Sequence, residues 1–249
     1  MHFKVLTRSF FTFFLFFLSG IVYAQQNNFA NIDRALLAST RNDKWYSDVR
    51  NELKKVQFYD LKKTLEYIDK ILKTSNLEVD DLSRVNFLFL KAETLYQSGE
   101  YPSAFKILQQ LKEDLGDRVN NKKFATYWLL LGYYYSDQGK NDSLKYCIDK
   151  LNGVYKAPEI DYYSYLIAQS FVYKNEGKYT AATQNLLTAA IFYEKEGYRS
   201  SLAGVYNNLA ENFSNLKSYL DAIKYYNLSI GLYKAEKNQL DLGRGYSNI

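Results

Sequence analysis

A chain of 249 residues, 47% of them hydrophobic, carries enough apolar material for one large domain or two small ones. Its formal net charge of +5 falls to +3 once the leading segment with Lys4 and Arg8 is set aside, and Lys, Glu and Asp are interspersed, which excludes the electrostatic footprint of a nucleic-acid binder. The single histidine, His2, lies in that leading segment, so the rest of the chain has none, and triads, histidine proton shuttles and histidine metal sites are excluded; the lone Cys147 excludes an internal disulfide.

Residues 1–24 read as a secretory signal peptide. Lys4 and Arg8 form the charged start, "FFTFFLFFLSGIV" the apolar core, and Val22-Tyr23-Ala24 the cleavage context before Gln25. The core is too short for a firm membrane span. The expected location is outside the cytoplasm, periplasmic or periplasm-facing in a bacterium, with a membrane tether only through an uncleaved signal or a segment beyond Ile249.

Beyond the leader, only Pro102 and Pro158 interrupt the chain, both near the ends of apolar segments, so long stretches are free to be helical. Residues 25–80 form an N-terminal helical region. Shifting Ala104, Leu108 and Leu111 back by 40 lands on Thr64, Ile68 and Ile71, and "DVRNELKKV" supplies a first helix for a degenerate opening repeat.

Self-similarity then organises the chain. Gly99, Gly139, Gly177 and Lys217 fall at intervals of 40, 38 and 40; Tyr101, Asn141, Tyr179 and Tyr219 follow each by two residues, and Ala104, Leu144, Ala182 and Ala222 by five. A period of this size marks a solenoid. Upstream of each turn, Trp128, Leu131, Gly132 and Tyr135, repeated as Tyr206, Leu209, Ala210 and Phe213, hold the i, i+3, i+4, i+7 spacing of one helical face. Each unit is therefore a helix, a tight turn and a second antiparallel helix. The units span 85–118, 125–158, 163–196 and 203–236, and Tyr246 and Ile249, each 40 after Tyr206 and Leu209, make 243–249 the start of an incomplete further repeat.

These residues resemble the tetratricopeptide repeat (TPR). The unit at 125–158 matches its W-x2-L-G-x2-Y-x3-G spacing, whereas Lys91 and Gln169 stand where leucine is usual, Lys217 replaces the turn glycine and Leu144 the usual alanine. The resemblance implies an all-α, right-handed superhelical solenoid of antiparallel helix pairs, with the first helices lining a concave surface. The first-helix positions not used by the packing pattern are Asn86, Phe89, Glu93 and Tyr96; Leu129, Tyr133 and Asp137; Ile167, Phe171 and Lys174; and Asn207, Glu211 and Asn215. Such a stripe suits an extended peptide or a partner helix, while Phe89, Tyr133 and Phe171 are equally suited to packing between neighbouring first helices. Phe89, Leu129 and Ile167 occupy places where family members that grip a partner's terminal carboxylate carry polar residues, so that mode is not expected.

The remaining tyrosines at repeat positions, Tyr101, Tyr135, Tyr173, Tyr179, Tyr206 and Tyr219, read as packing residues, and Cys147 as a small apolar filler. The pairs Asp80/Asp81 and Glu113/Asp114 read as charges near helix ends. The expectation is a scaffold that binds a protein or peptide, with no catalytic residues, metal, cofactor or nucleic acid. With its export signal and Tyr-rich repeats it is similar to the sensory front half of bacterial signalling proteins, in which repeats precede a membrane helix and a histidine kinase or helix-turn-helix region. The alternatives are a self-associating assembly module and an exported hydrolase built on acidic pairs.

Overall fold

The computed structural model describes residues 29–235 apart from 39, 58–59 and 79–80. The expected signal peptide and the expected repeat start at 243–249 lie outside the described residues. Every regular element within them is helical. The chain divides into two compact units, Met1–Tyr67 and Ile68–Ile249, and the division falls inside a helix.

In the first unit, α1 (Ala30–Leu36) and α2 (Asp43–Val56) are followed by the start of α3 (Leu61–Thr74). Asn42 caps α2 by accepting from the Trp45 backbone N–H at 3.0 Å, satisfying a donor that has no partner within the helix. The Trp45 indole N–H donates to the Ala35 carbonyl at 2.9 Å, joining α1 to α2. Phe29 stacks on Tyr67 at 5.4 Å, and the Tyr67 hydroxyl donates to Asp33. Thr64, Ile68 and Ile71, the positions expected to repeat the pattern of Ala104, Leu108 and Leu111, are all buried.

The second unit is a solenoid of antiparallel helix pairs: α4 (Leu82–Gln97) with α5 (Tyr101–Leu115), α6 (Thr126–Asp137) with α7 (Asn141–Asp149), α8 (Ile160–Asn175) with α9 (Tyr179–Glu196), and α10 (Arg199–Asn215) with α11 (Tyr219–Ala235). Second helices pack on the first helix of the next pair, α5 on α6, α7 on α8 and α9 on α10, so the apolar seam runs on from pair to pair. One core cluster joins Val85, Ala92, Leu108, Leu131, Leu144, Cys147 and Ala168, drawn from three successive pairs.

The four turns are the same object. Gly99, Gly139 and Gly177 adopt φ of 83°, 65° and 72°, and Lys217 adopts 60°. In each, the turn residue donates to the carbonyl three residues back and its successor to the carbonyl five back: Gly139 to Ser136 at 3.0 Å and Lys140 to Tyr135 at 2.9 Å, Lys217 to Ser214 at 2.9 Å and Ser218 to Phe213 at 2.9 Å. This left-handed helix end satisfies orphan carbonyls while reversing the chain. The close-contact positions are filled as the pattern predicts. A Cβ on Gly132 would lie 3.4 Å from Ile148 Cδ1 and 3.5 Å from Cys147 Cβ, which is why the smallest residue sits where α6 meets α7.

One second helix departs from the others in length, and one local expectation needs correction. The unit with the best repeat match has the shortest of the four second helices, ending at Asp149, beyond which the backbone bonds span three residues, Leu151 to Ile148 at 3.0 Å, and Gly153 turns with φ 71°; Leu151 is nevertheless buried, and Val154 and Tyr155 pack on the core without helix. Tyr219, expected to pack, is the first residue of α11 and is 61% exposed.

Candidate functional site: a ring and ion-pair row across the first helices

The unused positions of α4, α6, α8 and α10 meet in one row. Tyr96 on α4 donates its hydroxyl to the Asp137 carboxylate at the end of α6, and its ring centroid lies 6.4 Å from that of Tyr133. Tyr133 meets Phe171 on α8 edge-on at 6.2 Å. The Lys174 ammonium stands 5.7 Å from the Phe171 ring centre and reaches Glu211 on α10 at 2.9 Å. Asn207 donates to the Glu211 carboxylate at 3.2 Å, and Asn215 to the Glu211 backbone carbonyl at 2.9 Å. The row thus runs from Asp137 through Tyr96, Tyr133, Phe171 and Lys174 to Glu211.

Its register follows from helix geometry. Residues 129, 133 and 137 of α6 and 167, 171 and 174 of α8 recur on one side of each helix, and stacking of α4 on α6 and of α6 on α8 brings those sides level. Ring pairs of this kind contribute about 0.5–1.5 kcal/mol each, whereas a partly exposed pair such as Lys174–Glu211 contributes about 1 kcal/mol or less. Aromatic packing therefore holds the row and the ion pair sets its polar end.

Tyr133 is anchored from below. Its hydroxyl donates to the Ser164 carbonyl at 2.7 Å, and the Ser164 hydroxyl lies 3.1 Å from that of Tyr193 on α9. Burial raises the Tyr133 phenol well above its ordinary pKa, and the neighbouring Tyr193, Tyr96, Glu93 and Asp161 act in the same direction. Tyr193 is raised mainly by burial as well. Both stay protonated as donors or acceptors, and neither is set up to act as a base. Ser164 and Tyr193 were absent from the expected set; Tyr193 lies on a second helix, and no feature of the first-helix pattern points to it.

The thirteen expected residues separate by depth. Phe89 and Leu129 are 2% and 3% exposed and belong to the core cluster, so they fill the gap between neighbouring first helices and present nothing to a partner. That corrects their place in the expected surface: a side turned away from a helix's own partner is turned toward the adjacent first helix. Asn86, Glu93, Tyr96, Tyr133, Ile167, Phe171, Lys174, Asn207 and Glu211 are half-buried, and Asp137 and Asn215 are exposed.

One member of each acidic pair expected near a helix end has a local partner. Asp81 caps α4 by accepting from the Ser83 and Arg84 backbone N–H groups, and Asp114 accepts from Gln110 at 2.8 Å; Asp80 lies outside the described residues. Cys147 is fully buried, and burial pushes its thiol up to about 12. Among the described residues no group of three or more His, Cys, Asp and Glu could hold a metal ion, and no helix is long and apolar enough to cross a membrane.

No model of a known protein family matches this chain, and no curated protein matches it. Among solved structures it is similar to a candidate kinesin light chain of nearly identical TPR-like repeats from Podosopora anserina, at 11% identity over 81% of this chain and 100% of that one, with a TM-score of 0.47. BtubC from P. vanneervenii is 13% identical over 78% of this chain and 80% of that one, with a TM-score of 0.47. The apo form of RapI is 15% identical over 93% of this chain and 68% of that one, with a TM-score of 0.44. At such identities and scores no activity, partner or role is carried over to this chain.

Proposed function

We propose that this chain is an exported helical-repeat scaffold that binds a protein or peptide along its first helices, with no chemistry of its own, and that it forms the sensory front part of a longer signalling protein. The observation that carries the binding reading is the unbroken row from Asp137 through Tyr96, Tyr133 and Phe171 to Lys174 and Glu211, in which half-buried rings and polar groups share one side of four successive first helices. Amphipathic rings in a fixed row offer large contact area at small entropic cost. The export reading is supported by Lys4, Arg8, the apolar run and Val22-Tyr23-Ala24.

The binding reading is tested by two serine substitutions in the full chain. Phe171→Ser is expected to abolish capture of a partner held by the unsubstituted protein while leaving the helical circular dichroism unchanged; Phe89→Ser, in the core, is expected to lower the melting temperature first. Equal capture by the Phe171→Ser protein would overturn the reading. For export, N-terminal sequencing of the protein recovered from a bacterial envelope fraction should begin at Gln25, and recovery of the uncleaved chain in the cytoplasm would contradict it.

A second reading, a self-associating assembly module, is favoured by the apolar residues α11 leaves outside, Leu220 at 85% and Ile223 at 49% exposed. Light scattering over a dilution series separates the two, since a monomer at every concentration removes self-association.

A further inference from the structure

Asparagine is followed by glycine once in the chain, at Asn152-Gly153, and every other asparagine precedes a residue that carries a side chain. The pair lies in the run of turns that connects α7 to α8. Both residues are exposed, and a Cβ added to Gly153 would meet open space. The Asn152 backbone N–H donates to the Asp149 carbonyl at 3.3 Å and that of Val154 to the Leu151 carbonyl at 3.0 Å. Among the described residues, neither the Gly153 N–H between them nor the Asn152 carboxamide has a protein partner.

That combination has a chemical consequence. Rotation about the Asn152 backbone and side-chain bonds can bring the nitrogen of the following residue to the carboxamide carbon, closing a five-membered ring. Such closure is ordinarily blocked by a hydrogen bond that fixes the N–H, by a helix that fixes the dihedral, or by a side chain that crowds the approach. None of these operates at Asn152: Gly153 has no Cβ, its N–H is not engaged by the protein, and both residues stand past the end of α7. Asn120 and Asn121, exposed in another connection, differ on each count, since Asn120 donates to the Asp117 carbonyl at 3.1 Å, Asn121 accepts from the Lys123 N–H at 3.1 Å, and neither precedes glycine.

We propose that Asn152 is a site of spontaneous covalent modification, its carboxamide converting to aspartate and isoaspartate. The Gly153 amide nitrogen gives its proton to solvent base and bonds to the Asn152 side-chain carbonyl carbon; the carboxamide C–N bond breaks, and its nitrogen leaves as ammonia. Water then adds to one of the two carbonyl carbons of the resulting cyclic imide and opens the ring, with nothing oxidised or reduced. Isoaspartate routes the chain through the former side chain and so adds one backbone carbon between Leu151, which is fully buried, and Val154, which packs on the core. The connection between the second and third helix pairs is thereby lengthened and gains a negative charge.

The test ages the full chain in mildly alkaline buffer, both native and in denaturant, and follows each asparagine by peptide mass spectrometry with fragmentation that tells isoaspartate from aspartate. In the native chain Asn152 is expected to gain the amide-to-acid mass ahead of every other asparagine of 29–235 and to give both products. Gly153→Ala should slow the change severalfold, and Asn152→Gln, which keeps the turn backbone, should remove it. Conversion in denaturant alone, or faster conversion at another asparagine of the native chain, would overturn the assignment.

Discussion

The Lys217 backbone N–H donates to the Ser214 carbonyl at 2.9 Å with Lys217 held at φ 60°, the conformation that glycine adopts in the three preceding turns. A residue with a Cβ pays roughly 1–2 kcal/mol to enter this region. Lys217→Gly is therefore expected to raise stability by about 1 kcal/mol, somewhat offset by the greater freedom of glycine in the unfolded chain. Chemical denaturation checks it, with a rise in the midpoint at unchanged slope.

Gly132 sets how closely α6 and α7 approach. Alanine there would place its Cβ at tight to ordinary contact with Ile148, Cys147 and Leu144, while gaining helix propensity of about 1 kcal/mol, so Gly132→Ala should be neutral or mildly stabilising. Gly132→Leu should overpack the pair and cost about 1–3 kcal/mol. Thermal melts of the two variants should bracket the unsubstituted protein.

Cys147 offers a probe of opening. With its thiol buried and pushed up to about 12, it holds almost no thiolate at pH 8 in the folded protein. A thiol reagent should leave the native chain unmodified and react promptly in denaturant, and prompt reaction with the native chain would show α7 detached from the core.

Glu176, in the turn after α8, accepts from Lys145 of the preceding pair and from Lys178, and these bonds lower its carboxyl to about 2 from an ordinary 4.5. A depressed carboxylate contributes stability that is fully present above its unfolded pKa and is lost as pH falls from about 4.5 through 2. The Glu176 side-chain carbon resonance should titrate near the lower figure, and Lys145→Ala should move the midpoint upward.

Much of the fold was legible because turn chemistry and spacing are local. A left-handed helix end every 40, 38 and 40 residues, flanked by small residues at the helix crossings, leaves little choice but antiparallel pairs, and Lys217 kept the register even without glycine. The misses concern relations between pairs. Phe89 and Tyr133 share a pattern position class, yet Phe89 is sealed in the core and Tyr133 is only half-buried, because that depends on how closely α4, α6 and α8 pack, which periodicity does not encode. The support of Tyr133 by Ser164 and Tyr193 was hidden for the same reason. The short α7 passes at Asp149 into a run of turns with three-residue backbone bonds, which the repeat frame does not encode.

The most direct test of the central claim, that the first helices form the partner surface over a continuous seam of helix pairs, is amide hydrogen exchange on the full chain alone and saturated with a peptide that it captures. Added protection should concentrate in α4, α6 and α8 around Tyr96, Tyr133 and Phe171. Protection confined to the second helices, or none at all at saturating peptide, would contradict it.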